Sequence, residues 1–142
     1  MASPAEQLAD IVVGRGVIDG SSGWVSKIGK LPSEPDKVAV FYDTGGPSPN
    51  PKWLLDYLSV QCIVRGPPNS YNLGWTKIRE VRDCLLGLEP VTLGSGDRID
   101  GVIILSDITF INYDDAQRPT FSVNFRIFYE PASNGLTQRE PL

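Results

Sequence analysis

Three kinds of residue in this 142-residue chain could do chemistry: close carboxylates, glycine-flanked turns and two cysteines. Asp114-Asp115 are adjacent, and Asp97 and Asp100 are three apart. Two carboxylates make an acid–base or cation site only when they converge on a shared partner. Neighbours in an extended chain point apart, and no partner is evident nearby, so both pairs read as solvated turn residues. Gly14-Arg15-Gly16 and Gly94-Ser95-Gly96 are too short to cradle a phosphate and lack the Lys-Ser/Thr that follows a P-loop. Cys62 falls on the apolar face of a strand pattern and Cys84 beside the apolar stripe of a helix pattern. A nucleophilic thiolate needs a basic or cationic neighbour. Buried, inert thiols are therefore expected, with a Cys62–Cys84 disulfide as the minor alternative.

The composition narrows the classes further. The chain contains no histidine, so it lacks the side chain best suited to proton transfer near neutral pH. Two cysteines without histidine cannot complete an ordinary zinc site. No cofactor, metal or catalytic residue is predicted. The net charge of −4 disfavours a phosphate-gripping surface, because nucleic-acid affinity rests on Lys and Arg. Met1 to Glu6 show no basic-then-apolar leader, and no apolar run approaches the ~20 residues that cross a bilayer. A single domain over 1–142, kept in a reducing cytoplasm and away from membranes, is expected.

The elements that would position any site follow from periodicity and punctuation. Ser3-Pro4-Ala5-Glu6 is a helix start, with a cap, a proline at the first position and a glutamate three residues on. That helix runs through Leu8, Ala9, Ile11 and Val12 to Gly14 or Gly16. Trp24 to Leu31 is a candidate strand after the Gly20–Gly23 linker. Lys37 to Asp43 is a β-branched and aromatic strand. Thr44 to Lys52, with two glycines and three prolines, is a loop. Leu55 to Arg65 alternates, with Leu58, Val60, Cys62 and Val64 on one face and Tyr57, Ser59, Gln61, Ile63 and Arg65 on the other. After Gly66-Pro67-Pro68, Tyr71, Trp75, Ile78, Val81, Leu85 and Leu88 recur at helical spacing up to Gly87.

Ile99 to Ile111 is a long or bent strand, Asn112 to Arg118 a polar turn, and Thr120 to Glu130 a closing strand. In the last, Phe121, Val123, Phe125, Ile127 and Tyr129 share a face. The stretch 131–142 has no apolar pattern and reads as a flexible tail. The fold class is α+β: a twisted, mainly antiparallel sheet of about five strands with two helices packed on one face. Two helices cover one face only, so apolar groups such as Tyr57, Ile63 and Phe128 are left for a partner. Trp53, after the Pro/Gly loop, is either an interface anchor or a lid over the core edge.

Several stretches resemble the tail-terminator, or minor capsid, family of long-tailed bacteriophages. They are Ile28-Gly29-Lys30-Leu31-Pro32, the strand Val38 to Asp43 leading to Gly45-Gly46, and Val60-Gln61-Cys62-Ile63-Val64-Arg65-Gly66. The closing block does so too, with Phe110-Ile111-Asn112, Asp114-Asp115, Arg118-Pro119 and Phe121 to Phe125. The resemblance spans about Leu8 to Tyr129. It implies a structural virion protein, not an enzyme, that forms a homo-oligomeric ring, commonly a hexamer, on the head-proximal end of the tail tube. Its implied partners are copies of itself, the tail tube protein and the head connector protein. DNA would pass through the pore without specific binding.

Carried onto this chain, the resemblance puts Gly45, Gly46 and Trp53 on an inter-subunit or tube-facing loop. It puts Asn112, Tyr113, Asp114, Asp115 and Arg118 on a hairpin tip projecting from the ring. Acidic groups at such a tip would let DNA slide past a pore, which predicts that Asp114 and Asp115 line it. The competing readings are a head–tail connector stopper or adaptor and, more remotely, a small-molecule enzyme, which would need a concave pocket with converging polar groups.

Overall fold

The computed structural model describes residues 2–132, so all but the start of the expected C-terminal tail lies outside the described residues. Helix α1 spans Pro4–Gly14 and is capped by Ser3, whose Oγ accepts the Glu6 backbone N–H at 3.3 Å. It buries Ala5, Leu8, Ala9 and Val12, a stripe at the spacing one helix face provides. The Ala5 N–H donates to Asp43 Oδ1 at 2.9 Å and ties this helix to the sheet. Helix α2 spans Tyr71–Leu86 and buries Gly74, Ile78, Val81 and Leu85. A single 3-10 turn at Gly20–Ser22 leads from α1 into the sheet.

Six strands form one sheet: β1 (Val25–Ile28), β2 (Val38–Gly45), β3 (Asp56–Arg65), β4 (Val91–Thr92), β5 (Arg98–Tyr113) and β6 (Pro119–Glu130). Their order is β1-β2-β3-β6-β5-β4. β1 and β2 run parallel; every other neighbouring pair is antiparallel. The α+β class with two helices holds, while the sheet has six strands rather than about five and is mixed. The extra strand, β4, is only two residues long, too short to show a period in the sequence. β2 also continues through Thr44 and Gly45, residues expected in the loop, by means of a bulge that brings Gly45 opposite Ser59.

The expected faces hold where pairing is regular. Val60, Cys62 and Val64 of β3 and Phe121, Val123, Phe125 and Ile127 of β6 are fully buried under the helices. Burial also pushes the Cys62 thiol well above its ordinary pKa. Burial raises Cys84 as well, and both thiols are free. Trp24 is buried in the same core. Trp75, placed by its spacing in the core stripe, is instead exposed at 37%, because the face that α2 buries runs through Gly74, Ile78, Val81 and Leu85.

α2 comes closest to the sheet at Gly74. A Cβ there would stand 2.7 Å from a ring carbon of fully buried Phe121. A larger residue must therefore lift the helix or tilt the ring. Gly74→Val is expected to destabilise the fold by about 1–3 kcal/mol. A lower urea midpoint at unchanged slope is the readout, and an unchanged midpoint contradicts this packing.

Asp97, read from sequence as a solvated turn residue without a partner, is 3% exposed and has three. Its Oδ2 accepts the Tyr129 hydroxyl at 2.7 Å and Ser95 Oγ at 3.0 Å, and its Oδ1 accepts the Ala132 N–H at 2.7 Å. Gln7 Nε2 donates to the Tyr129 oxygen at 3.2 Å, linking α1 to the network. Burial alone would raise the Asp97 pKa, but the bonds from Tyr129, Ala132 and Ser95 outweigh it and hold the carboxyl below its usual range. Burial, then the bond to Asp97, pushes Tyr129 up to about 12.

The two groups bound the stable pH range from opposite sides. The Asp97 contribution is complete above the ordinary carboxyl pKa of about 4 and is lost as pH falls through the lower folded value. That of Tyr129 is complete below about 10 and is lost as pH rises through the value of about 12. In unfolding midpoints measured against pH, Asp97→Asn is expected to flatten the acid limb and Tyr129→Phe the alkaline limb. Limbs unaltered in both variants contradict the assignment.

Candidate functional site

Strand register divides the residues singled out in the sequence into two groups. Asp56 at the start of β3 pairs with Tyr129 at the end of β6, and Arg65 at the other end of β3 pairs with Thr120. Gly45, opposite Ser59, and the loop to Trp53 therefore lie at the Asp56 end. Asn112 to Arg118 lie at the Arg65 end. The nine residue steps of β3 separate the groups by roughly 30 Å. Gly45, Gly46 and Trp53 do not meet Asn112, Tyr113, Asp114, Asp115 and Arg118.

The loop group is shaped by backbone conformation. Gly45 and Gly46 have φ of 87° and 144°, and a Cβ on Gly46 would collide with the Tyr57 carbonyl oxygen. Only glycine lets the chain turn this closely over β3. Asn50 Oδ1 then accepts the N–H groups of Lys52 and Trp53 at 2.9 and 2.8 Å, and Leu55 N–H donates back to the Trp53 carbonyl at 2.9 Å. The indole held by this turn is 60% exposed. Trp53 therefore stands out from the surface and does not lie flat over the core edge. It borders a shallow cleft of about 250 Å³ with Asn50, Leu55 and Tyr57. A neighbouring cleft of about 280 Å³ runs along Gly45, Gly46, Pro47 and Pro49 to Leu58.

The hairpin group is a polar turn, as expected, but an internally tied one. Asp114 Oδ1 accepts the backbone N–H groups of Ala116 and Arg118 at 3.0 and 2.9 Å, and Asp114 Oδ2 accepts Arg118 Nε at 2.8 Å. Arg118 Nη1 donates to the Ser33 carbonyl at 2.7 Å and to Asp36 Oδ1 at 3.1 Å. Arg65 Nη2 binds the Pro35 carbonyl at 2.7 Å and its Nε the Asp36 carbonyl at 3.2 Å. The β1–β2 connection is thus clamped across the outer sheet face at this end. The hydrogen bonds from Arg118 and Ala116 hold Asp114 below the usual carboxyl range although burial opposes them. Its charge is balanced by Arg118, which leaves Asp115, Asn112 and Tyr113 as the exposed members of the group.

A surface that the sequence reading missed adjoins this tip. Phe110 packs against Tyr71, Tyr113 and Phe121 with ring centroids 5.0–5.5 Å apart across the cluster. Tyr71, Leu73, Trp75, Phe110 and Tyr113 all remain exposed. The sequence signal was present as Tyr71 and Trp75 on the helix stripe, but the stripe alone does not show that the buried face of α2 is centred on Gly74 and leaves both rings exposed. Side chains of this kind anchor protein–protein contacts, and clustered exposed apolar groups mark such surfaces.

Reactive groups do not gather in comparable fashion. Among the described residues no three His, Cys, Asp or Glu side chains stand together to hold a metal. A groove along α2 lined by Val17, Thr76, Arg79, Glu80, Asp83 and Cys84 contains a thiol that burial holds above its usual pKa. Among the described residues no helix is long and apolar enough to cross a membrane.

Fold and surface thus describe a small α+β domain with exposed apolar side chains at both ends of one sheet. Residues 11–131 match a family described as bacteriophage tail terminator protein. The chain belongs to that family, which makes it a structural component of the phage tail within the virion. No curated protein matches the chain.

The clamp at the hairpin tip yields a direct test. Arg118, with an 11% exposed side chain, makes charge-assisted bonds to two segments, so Arg118→Ala is expected to cost about 1.5–3 kcal/mol. Arg118→Lys is expected to recover little of this, because one ammonium cannot reach around the guanidinium's fork of partners. Faster amide exchange at Ala116 and Arg118 in both variants is the readout; native exchange rates contradict the clamp.

Proposed function

We propose that this protein closes the head-proximal end of the phage tail tube as a homo-oligomeric ring, commonly a hexamer in such proteins. The ring stops tube growth and offers its opposite side to the head connector, and it is assembled in the host cytoplasm. The observation that carries this reading is the separation of two exposed surfaces to opposite ends of one rigid sheet. A terminator has two different neighbours along the tail axis, and two remote surfaces serve both at once. The loop group, with Trp53 as its anchor, meets the tube or the next subunit. The hairpin tip, with Asn112, Tyr113 and the adjoining aromatic cluster, meets the other neighbour.

The pore follows from charge. The chain is acidic overall at −4, and an acidic wall repels phosphates and lets DNA slide. Asp114 spends its charge on Arg118, so Asp115 is the residue of the pair that would face passing DNA.

Trp53→Ala tests the loop assignment without disturbing the core, since the indole is mostly exposed. Truncating an interface anchor costs about 2 kcal/mol or more, roughly thirtyfold in affinity. Phage carrying the variant are expected to produce overlong or headless tails by electron microscopy, while the purified chain unfolds at its native midpoint. Normal tails at normal yield contradict the assignment.

A further inference from the structure

The sheet ends in two open edges, and we propose that they pair with each other between neighbouring copies, β5 of one subunit adding to β1 of the next. The inference rests on the ring reading above and names the contact that builds the ring.

The first open edge is β5. Its inner side pairs with β6 from Arg98 to Tyr113, but on its outer side β4 covers only Ile99 and Arg98. Among the described residues the stretch from Gly101 to Tyr113 has no strand on that outer side. Ile103, Leu105 and Ile111 project from it, Leu105 and Ile111 each 46% exposed. An exposed edge of this length and character is a template for another strand. Register shifts after Ile104, Ser106 and Phe110 break it into short runs, which suits a short partner and discourages indefinite stacking.

The second open edge is β1, a four-residue strand whose only strand neighbour among the described residues is β2. Ile28 and, just beyond, Leu31 are exposed there. Three observations favour β1 of a second copy as the occupant of the β5 edge. The first is charge. Residues 24–31 carry Lys27 and Lys30 with no acidic residue, whereas 101–115 carry Asp107, Asp114 and Asp115 with no basic one. Asp107 meets Arg82 at 3.1 Å and Asp114 meets Arg118 at 2.8 Å within the subunit, so exposed Asp115 offers a neighbour the most charge. The second is direction. From the pairings across the sheet, β1 runs antiparallel to β5 within one molecule. Rotation about an axis running along the strands preserves that relation between copies, so the new ladder is antiparallel, the more stable kind. The third is closure. The two edges are different surfaces on opposite sides of one subunit, and a contact between unlike surfaces closes a ring by rotation instead of ending at a dimer.

Exchanging charge across the two edges tests this. The β1 variant is Lys27→Glu with Lys30→Glu; the β5 variant is Leu105→Lys with Ile111→Lys; a third chain combines all four. Every position is exposed, and circular dichroism with the unfolding midpoint checks that each chain folds. Ring formation is read by native mass spectrometry over a concentration series, and on capped tail tubes if the free native chain is monomeric. Each two-residue variant sets like charges against each other and is expected to weaken ring formation by at least about tenfold. The four-residue variant restores opposite charges and is expected to recover it.

Rings that survive both two-residue variants overturn the edge pairing and leave the ring reading standing. So do rings lost in those variants and not recovered in the combined chain. A native chain that neither oligomerises nor caps tubes overturns both.

Discussion

The fold depends on the unbroken ladder between β3 and β6. Ten consecutive residue pairs, from Asp56 with Tyr129 to Arg65 with Thr120, hold register without a bulge. Because side chains alternate with period two, that register puts Val60, Cys62, Val64, Phe121, Val123, Phe125 and Ile127 on one face together. A slip by one residue would turn the whole set toward solvent. The helices need this surface to pack on, and α2 comes close enough at Gly74 to touch the Phe121 ring. The ladder's length also separates the Trp53 loop from the hairpin tip.

A core built on one face of a sheet leaves work undone elsewhere. The outer face is closed at one end by the β1–β2 connection, which Arg65 and Arg118 hold through backbone carbonyls. Among the described residues the edges have no such cover, and the side chains exposed along β5 are more apolar than solvent alone would favour. An isolated subunit keeps that cost, whereas a ring removes it.

Much of this was legible in the sequence where the signal is local. Ser3 and Pro4 announce α1, the alternation of Leu58 to Val64 and of Phe121 to Tyr129 announces the central strands, and the polar run Asn112 to Arg118 announces the turn from β5 to β6. Contacts made across the fold were not legible. Asp97 finds Tyr129 32 positions away, and Tyr129 finds Gln7 122 positions away. Arg118 reaches Ser33 over 85 positions. No spacing rule links such residues, so Asp97 looked solvated and the partners of Arg118 stayed hidden. The order of strands was equally hidden, since it depends on which edges meet, and with it the identity of β1 and β5 as the open sides. The separation of the two site groups follows from register and could not be read from either motif.

Hydrogen–deuterium exchange on the free subunit and on assembled tails tests the central claim most directly. Burial of both sheet ends and both edges by neighbours predicts that amides in the 47–57 loop, in β1 and along Gly101 to Tyr113 slow together on assembly, while those of the β3–β6 ladder stay as protected as before. Exchange along the loop and the β5 edge that is as fast in assembled tails as in the free chain would contradict it.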